Sequence, residues 1–139
     1  MKTIGYIFLF LFIMITIGCG RNILGPEDDR LEIKNESSLP IYTYDQFTFP
    51  DTTIALYNPS KVDVNKVLPH GKVHIPTRGS WESTFAERIP SGKLMIFIYD
   101  AKTLETTPWD TVRKKYLILK RYDLTLKDLE SLNWTVTYP

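Results

Sequence analysis

His70 and His74 stand four residues apart, the spacing that places two imidazoles on one face of a helix in zinc hydrolases. Gly71 and Pro76 oppose a helix there, no Glu occupies the general-base position of such a motif, and no third ligand follows. Two partly exposed histidines beside a turn are therefore expected, and a surface site on a strand is the metal-binding alternative. The serines Ser80, Ser83 and Ser91 lack a nucleophile elbow, and Pro90-Ser91-Gly92-Lys93 reads more simply as a β-turn. Gly71, Gly79 and Gly92 are isolated and form no phosphate-binding loop. Among the carboxylates, Asp100 ends a strongly apolar run. It has two readings, an ion pair with Lys120 or Arg121, or a cap on the backbone N–H groups of the following turn. Tyr42, Tyr44, Phe47, Phe49 and Tyr57 cluster in sequence, either as core or as an exposed platform for sugar rings or a protein partner. These patterns assign no catalytic residue, no metal ligand and no cofactor.

The residue with the clearest chemical fate is Cys19, the single cysteine of the 139-residue chain. Upstream of it, Lys2 provides a positive start and Tyr6 to Ile15 ten uninterrupted apolar residues, the layout of a secretory signal peptide over residues 1–18. The apolar run is too short for the roughly 20 residues that span a bilayer. Thr16-Ile17-Gly18-Cys19 resembles the lipobox of bacterial lipoproteins, in which a small residue such as Gly18 admits the peptidase and the thiol accepts diacylglycerol. Thr16 departs from the usual leucine. The alternative is an ordinary signal peptide whose cysteine falls near the cleavage point, leaving an exposed thiol in an oxidising compartment. With cleavage between Gly18 and Cys19, two or three acyl chains of the palmitate type would anchor the protein at about 0.8 kcal/mol per buried CH₂.

The 121 residues after position 18 carry 16 basic and 16 acidic side chains, so no net charge recommends nucleic acid or an anionic membrane surface as a partner. Hydrophobic residues make up 43% of the chain, enough to bury a core. Residues 19–30, the acylated Cys19 followed by GRNILGPEDDR, read as a flexible tether. Its acids Glu27, Asp28 and Asp29 resemble a surface-export signal of lipoproteins in some Gram-negative gut anaerobes, although they begin later after the cysteine. Residues 31–139 form one globular domain.

The elements that must position these groups follow from periodicity. Leu31 to Asn35 alternates as a strand and turns through NESSLP into a second strand, Ile41 to Asp45, with which it is expected to pair as a hairpin. Phe47 to Asn65 reads as a long loop with one short strand at Thr53 to Tyr57. Lys72 to Ile75 is a further strand, and Ser80 caps a helix over Trp81 to Arg88. Lys93 to Tyr99 is apolar on both faces and predicts a covered central strand. Thr107-Pro108-Trp109-Asp110 reads as a capped helix start and Tyr116 to Tyr122 as a strand. Thr125 opens a helix that sets Leu126, Leu129 and Leu132 on one face, and Trp134 to Tyr138 closes with alternation. The fold class is mainly β within α+β: an antiparallel sheet or sandwich with two or three short helices, or alternatively an immunoglobulin-like sandwich.

Ile33-Lys34-Asn35 with Pro40-Ile41-Tyr42, Met95 to Asp100, Leu119 to Leu124, and Asn133 to Pro139 resemble a family of small uncharacterised lipoproteins of Gram-negative gut anaerobes. The resemblance implies export and acylation of Cys19, and no activity. The expectation is an outer-membrane lipoprotein, periplasmic or surface-facing, held in the lipid bilayer through Cys19. Its domain is read as a non-enzymatic binding or accessory module with a protein or glycan partner. The alternatives are a glycan-directed hydrolase built from dispersed carboxylates and a structural subunit of a surface complex.

Overall fold

The structure, a computed structural model, describes residues 26–139. The expected signal segment, Gly18 and Cys19 lie outside the described residues, as does the tether up to residue 25. From Pro26 onward the strands are β1 (Glu27–Asp28), β2 (Glu32–Asn35), β3 (Ile41–Gln46), β4 (Lys66–Val67), β5 (Lys72–His74), β6 (Thr77–Arg78), β7 (Leu94–Asp100), β8 (Lys120–Leu124) and β9 (Thr135–Tyr138). The helices are α1 (Trp81–Arg88), α2 (Ala101–Thr106), α3 (Trp109–Lys114) and α4 (Leu126–Ser131). The described chain is thus α+β with mostly antiparallel strands, as expected. The strands form three sheets, ordered β4-β3-β7-β8, β5-β2-β9 and β1-β6.

β7 is the spine of the larger sheet. Leu94 to Tyr99 are all buried, and alternation sends Leu94, Ile96 and Ile98 into one core and Met95, Phe97 and Tyr99 into another. Each such side chain contributes about 1.5 to 3 kcal/mol of burial free energy. The first core is closed by β2 and β9 through Leu31, Ile33 and Val136, and by α1 and α4 through Trp81, Phe85 and Leu129. The second is closed by α2 and α3 through Leu104 and Val112, and by Ile54 of the loop after β3. Helices on one face and a second sheet on the other explain why β7 reads as apolar throughout.

Local signals place the helix starts. Ser80 Oγ accepts a hydrogen bond from the Ser83 N–H (3.1 Å), and α1 buries Trp81, Thr84 and Phe85 on one stripe. Thr125 and Asp128 form a reciprocal capping box that opens α4. Only Leu129 of the expected leucine face is fully buried; Leu132 ends the helix and is 45% exposed.

Several local expectations give way to tertiary context. The β2–β3 hairpin does not form. β2 pairs antiparallel with β5 and parallel with β9, whereas β3 pairs with β4 and β7 in the other sheet. The reason sits at Asn35, fully buried at the end of β2, whose Nδ2 donates to the carbonyls of Leu39 (2.8 Å), Leu68 (3.1 Å) and Val67 (3.2 Å). These bonds turn the chain from one sheet into the other. Thr53 to Tyr57 is not a strand, and two 3₁₀ turns, Pro59–Lys61 and Asp63–Asn65, follow it. Thr107 ends α2, its N–H donating to Thr103 O (3.0 Å), and α3 starts after Pro108 with no side-chain cap. α2 itself was unforeseen. β8 begins at Lys120 rather than Tyr116, because residues 115–118 close α3: the Leu117 N–H returns to Val112 O (2.9 Å) and Tyr116 adopts φ 52°. Glu27 to Arg30, read as tether, belongs to the domain, for β1 pairs with β6.

Candidate functional site

The candidate site grows from the outer edge of β3. β4 covers only Ile41 and Tyr42, so Thr43 to Gln46 have β7 as their one strand neighbour among the described residues. Alternation puts Asp45 on the same face of the sheet as Ile41 and Thr43, opposite Ile96 of β7. A carboxylate thereby enters the rim of an apolar core. Burial pushes its pKa above the ordinary value, against the opposing pull of a hydrogen bond from its own N–H and the nearby Arg88 charge. No other side chain among the described residues hydrogen-bonds this carboxylate.

A cleft of about 510 Å³ opens beside Asp45, walled by Phe47 after β3, Thr77 and Arg78 of β6, and Arg88 at the end of α1. Glu27 of β1 stands at its rim, opposite Arg78 in the β1–β6 ladder. The Arg88 guanidinium lies 5.0 Å from the centre of the Phe47 ring, a cation–π contact that orients it. An adjoining depression of about 400 Å³ shares Asp45, Phe47 and Arg88 and adds Tyr44 and Gln46. Gln46 Oε1 itself is fully buried and accepts no hydrogen bond.

The wall carrying Arg78 is fastened from behind. Thr77 and Thr84 share a buried hydroxyl hydrogen bond (2.8 Å) that ties β6 to α1. Asp28 accepts the Trp81 N–H (3.0 Å) and a bidentate pair from Arg30, whose guanidinium also bonds Glu82 and lies 4.1 Å over the Trp134 ring. The Arg30 hydrogen bonds hold the Asp28 carboxyl down at about 2. The acid that read as a solvated spacer is therefore a clamp.

The residues singled out by spacing take other roles. His70 lies 3.9 Å from Glu36, while His74 bonds Asp29 O (2.8 Å) through Nδ1 and lies 3.5 Å from Glu32 through Nε2. The two rings thus face different glutamates, and among the described residues no three His, Cys, Asp or Glu side chains converge on a metal position. Ser80 caps α1, Ser83 Oγ donates to Glu87 (3.0 Å), and Ser91 Oγ accepts from the Lys93 N–H (3.3 Å) within the turn. Asp100 takes the capping reading: it accepts the Thr103 N–H (2.7 Å) at the start of α2. Arg121 pairs instead with Asp123 (2.8 Å), its neighbour on the same face of β8.

The aromatic cluster does not assemble into one platform. Tyr42 is buried and its hydroxyl donates to Glu105 (2.9 Å), Tyr44 packs on Tyr57 with centroids 6.4 Å apart, and Lys93 covers Phe49 at 4.6 Å. Phe47 alone of the five lines the larger cleft. Sequence reasoning missed Asp45, Arg78 and Arg88. The available signal was the acid at an inward position of the Ile41-Tyr42-Thr43-Tyr44-Asp45 alternation.

Geometrically, the cleft can hold a small polar ligand: two guanidinium groups offer forked donors, one recessed carboxyl group accepts or donates, and a ring fixes the shape. Among the described residues no helix is long and apolar enough to cross a membrane. No known protein family, curated protein or solved structure matches the chain.

Proposed function

We propose that the protein is exported, acylated on Cys19 and held on the outer membrane by its lipid, where the domain works as a non-enzymatic binding module. Lys2, the apolar run to Ile17 and the Gly18-Cys19 junction support export and acylation. The observation that carries the binding role is the recessed, unpaired Asp45 carboxylate beside Arg78 and Arg88 in one open cleft. Glu27 on the cleft rim is eight residues past Cys19, a reach of at most about 28 Å. An anchor at Cys19 therefore keeps this cleft close to the lipid surface, suited to capturing a component of the envelope.

Metabolic labelling with an alkyne fatty acid tests the anchor. The wild-type protein should be labelled and sediment with membranes, whereas Cys19→Ala should lose the label and leave the membrane fraction. Undiminished labelling of that variant would refute the assignment. A second reading, a glycan hydrolase, has one observation in its favour, since Glu27 and Asp45 line the same cleft and Asp45 has the raised pKa of a general acid. Release of reducing ends by the wild type and not by Asp45→Asn would favour that reading over binding alone.

A further inference from the structure

We propose that the cleft between β3, β6 and the end of α1 binds a sugar bearing a carboxylate, its acid group held by Arg78 and Arg88 and its hydroxyls by Asp45. This assignment rests on the binding role proposed above. Arg78 and Arg88 have no acidic partner within ion-pair distance among the described residues, although six other groups, Asp28, Arg30, Glu32, Lys72, His74 and Glu82, are so engaged at the clamp and between β2 and β5. Planar guanidinium groups match carboxylate geometry through paired N–H donors, and the Phe47 ring beneath Arg88 limits the positions its fork can take.

The lining carries two guanidinium groups against Glu27 and Asp45. Glu27 stands opposite Arg78 in the β1–β6 ladder, so Asp45 is the recessed acid of the cleft, and the two guanidinium forks are left to take a planar carboxylate from the ligand. The remaining polar groups call for neutral hydrogen-bonding partners. Asp45 has no side-chain hydrogen-bond partner among the described residues and lines both hollows. Ring hydroxyls donate to such an acceptor without adding charge. The two connected hollows, about 510 and 400 Å³, admit more than one sugar ring.

Isothermal titration of the full-length, detergent-solubilised protein with a uronate oligosaccharide tests the assignment, with its neutral methyl ester, a dipeptide and inorganic phosphate as comparison probes. The uronate should bind, and its methyl ester should bind at least about tenfold more weakly. Arg78→Ala and Asp45→Asn should each weaken uronate binding by about tenfold with no loss of thermal stability, since neither side chain bonds another in the fold. Equal affinity for ester and acid, or unchanged affinity in both variants, overturns the proposal. Preferential binding of the dipeptide or phosphate that is lost in Arg78→Ala overturns the sugar assignment and leaves the binding role standing. Silence from all four probes overturns both.

Discussion

Replacing Asn35 by leucine tests the account of how the two large sheets are joined. The asparagine is fully buried and makes five side-chain hydrogen bonds: three from Nδ2 to the Leu39, Val67 and Leu68 carbonyls, and two into Oδ1 from the Ser37 N–H (3.0 Å) and hydroxyl (2.6 Å). Nδ2 has only two protons for three acceptors, so one donor is shared and the set counts as about four bonds. At about 1 kcal/mol net per bond, Asn35→Leu should cost about 4 kcal/mol, with leucine filling a similar volume so that no cavity term is added. A domain of this size has a total stability of about 5 to 15 kcal/mol, and the loss should lower the melting temperature by about 15 °C. Urea titration followed by tryptophan fluorescence reads the change directly, because Trp81 is fully buried in the adjoining core. Asn35→Asp should be worse than leucine at neutral pH, since a buried carboxylate then faces three carbonyl oxygens, and should recover partly in acid when the protonated oxygen can donate to one of them. A leucine variant within about 0.5 kcal/mol of wild type would refute the junction role assigned to Asn35.

Two further predictions concern titration. Asp28 has its folded pKa lowered from 3.8 to about 2, so its clamp on Arg30 and the Trp81 N–H stabilises the fold above about pH 4 and is lost as pH falls through 2. Because Arg30 is half exposed, the screened contribution is about 1 kcal/mol; urea midpoints measured between pH 5 and 2 should flatten in Asp28→Asn, and an unchanged slope would exclude the clamp. Asp45 has the opposite sign: its folded pKa lies above the unfolded one, so the fold is favoured while Asp45 is protonated and loses stability as pH rises through the folded value. Asp45→Asn should therefore melt higher than wild type at pH 7 and equally at pH 3, and a lower melting temperature at pH 7 would show that the carboxylate has a stabilising partner.

The parts of the fold legible in the chain are those decided within a few residues. Six consecutive buried residues in β7 announced a strand covered on both faces, Ser80 announced α1, and Thr125 with Asp128 announced α4. Each depends on alternation or on a hydrogen bond spanning three positions. α2 was not legible because its cap, Asp100, is also the last residue of β7, and its position is set by the Ala101 N–H bonding Pro40 O (3.2 Å) in a distant turn. The hairpin expectation failed because β2 finds its neighbour in β9, about a hundred residues along the chain. The candidate site behaves in the same way: Asp45, Arg78 and Arg88 are spread over 44 positions and share no spacing pattern.

Sequence alone determined the apolar run that precedes a single cysteine, the absence of net charge after residue 18, and most of the longer strands with the caps of α1 and α4, since composition, period and capping act locally. Tertiary structure alone decided which strands are neighbours, that Glu27 to Arg30 clamps the domain instead of tethering it, and that an acid on the inner face of β3 opens into a cleft between two arginines. Those outcomes depend on which distant surfaces exclude water together and which buried donors then find acceptors, and neither is written in any short stretch of the chain.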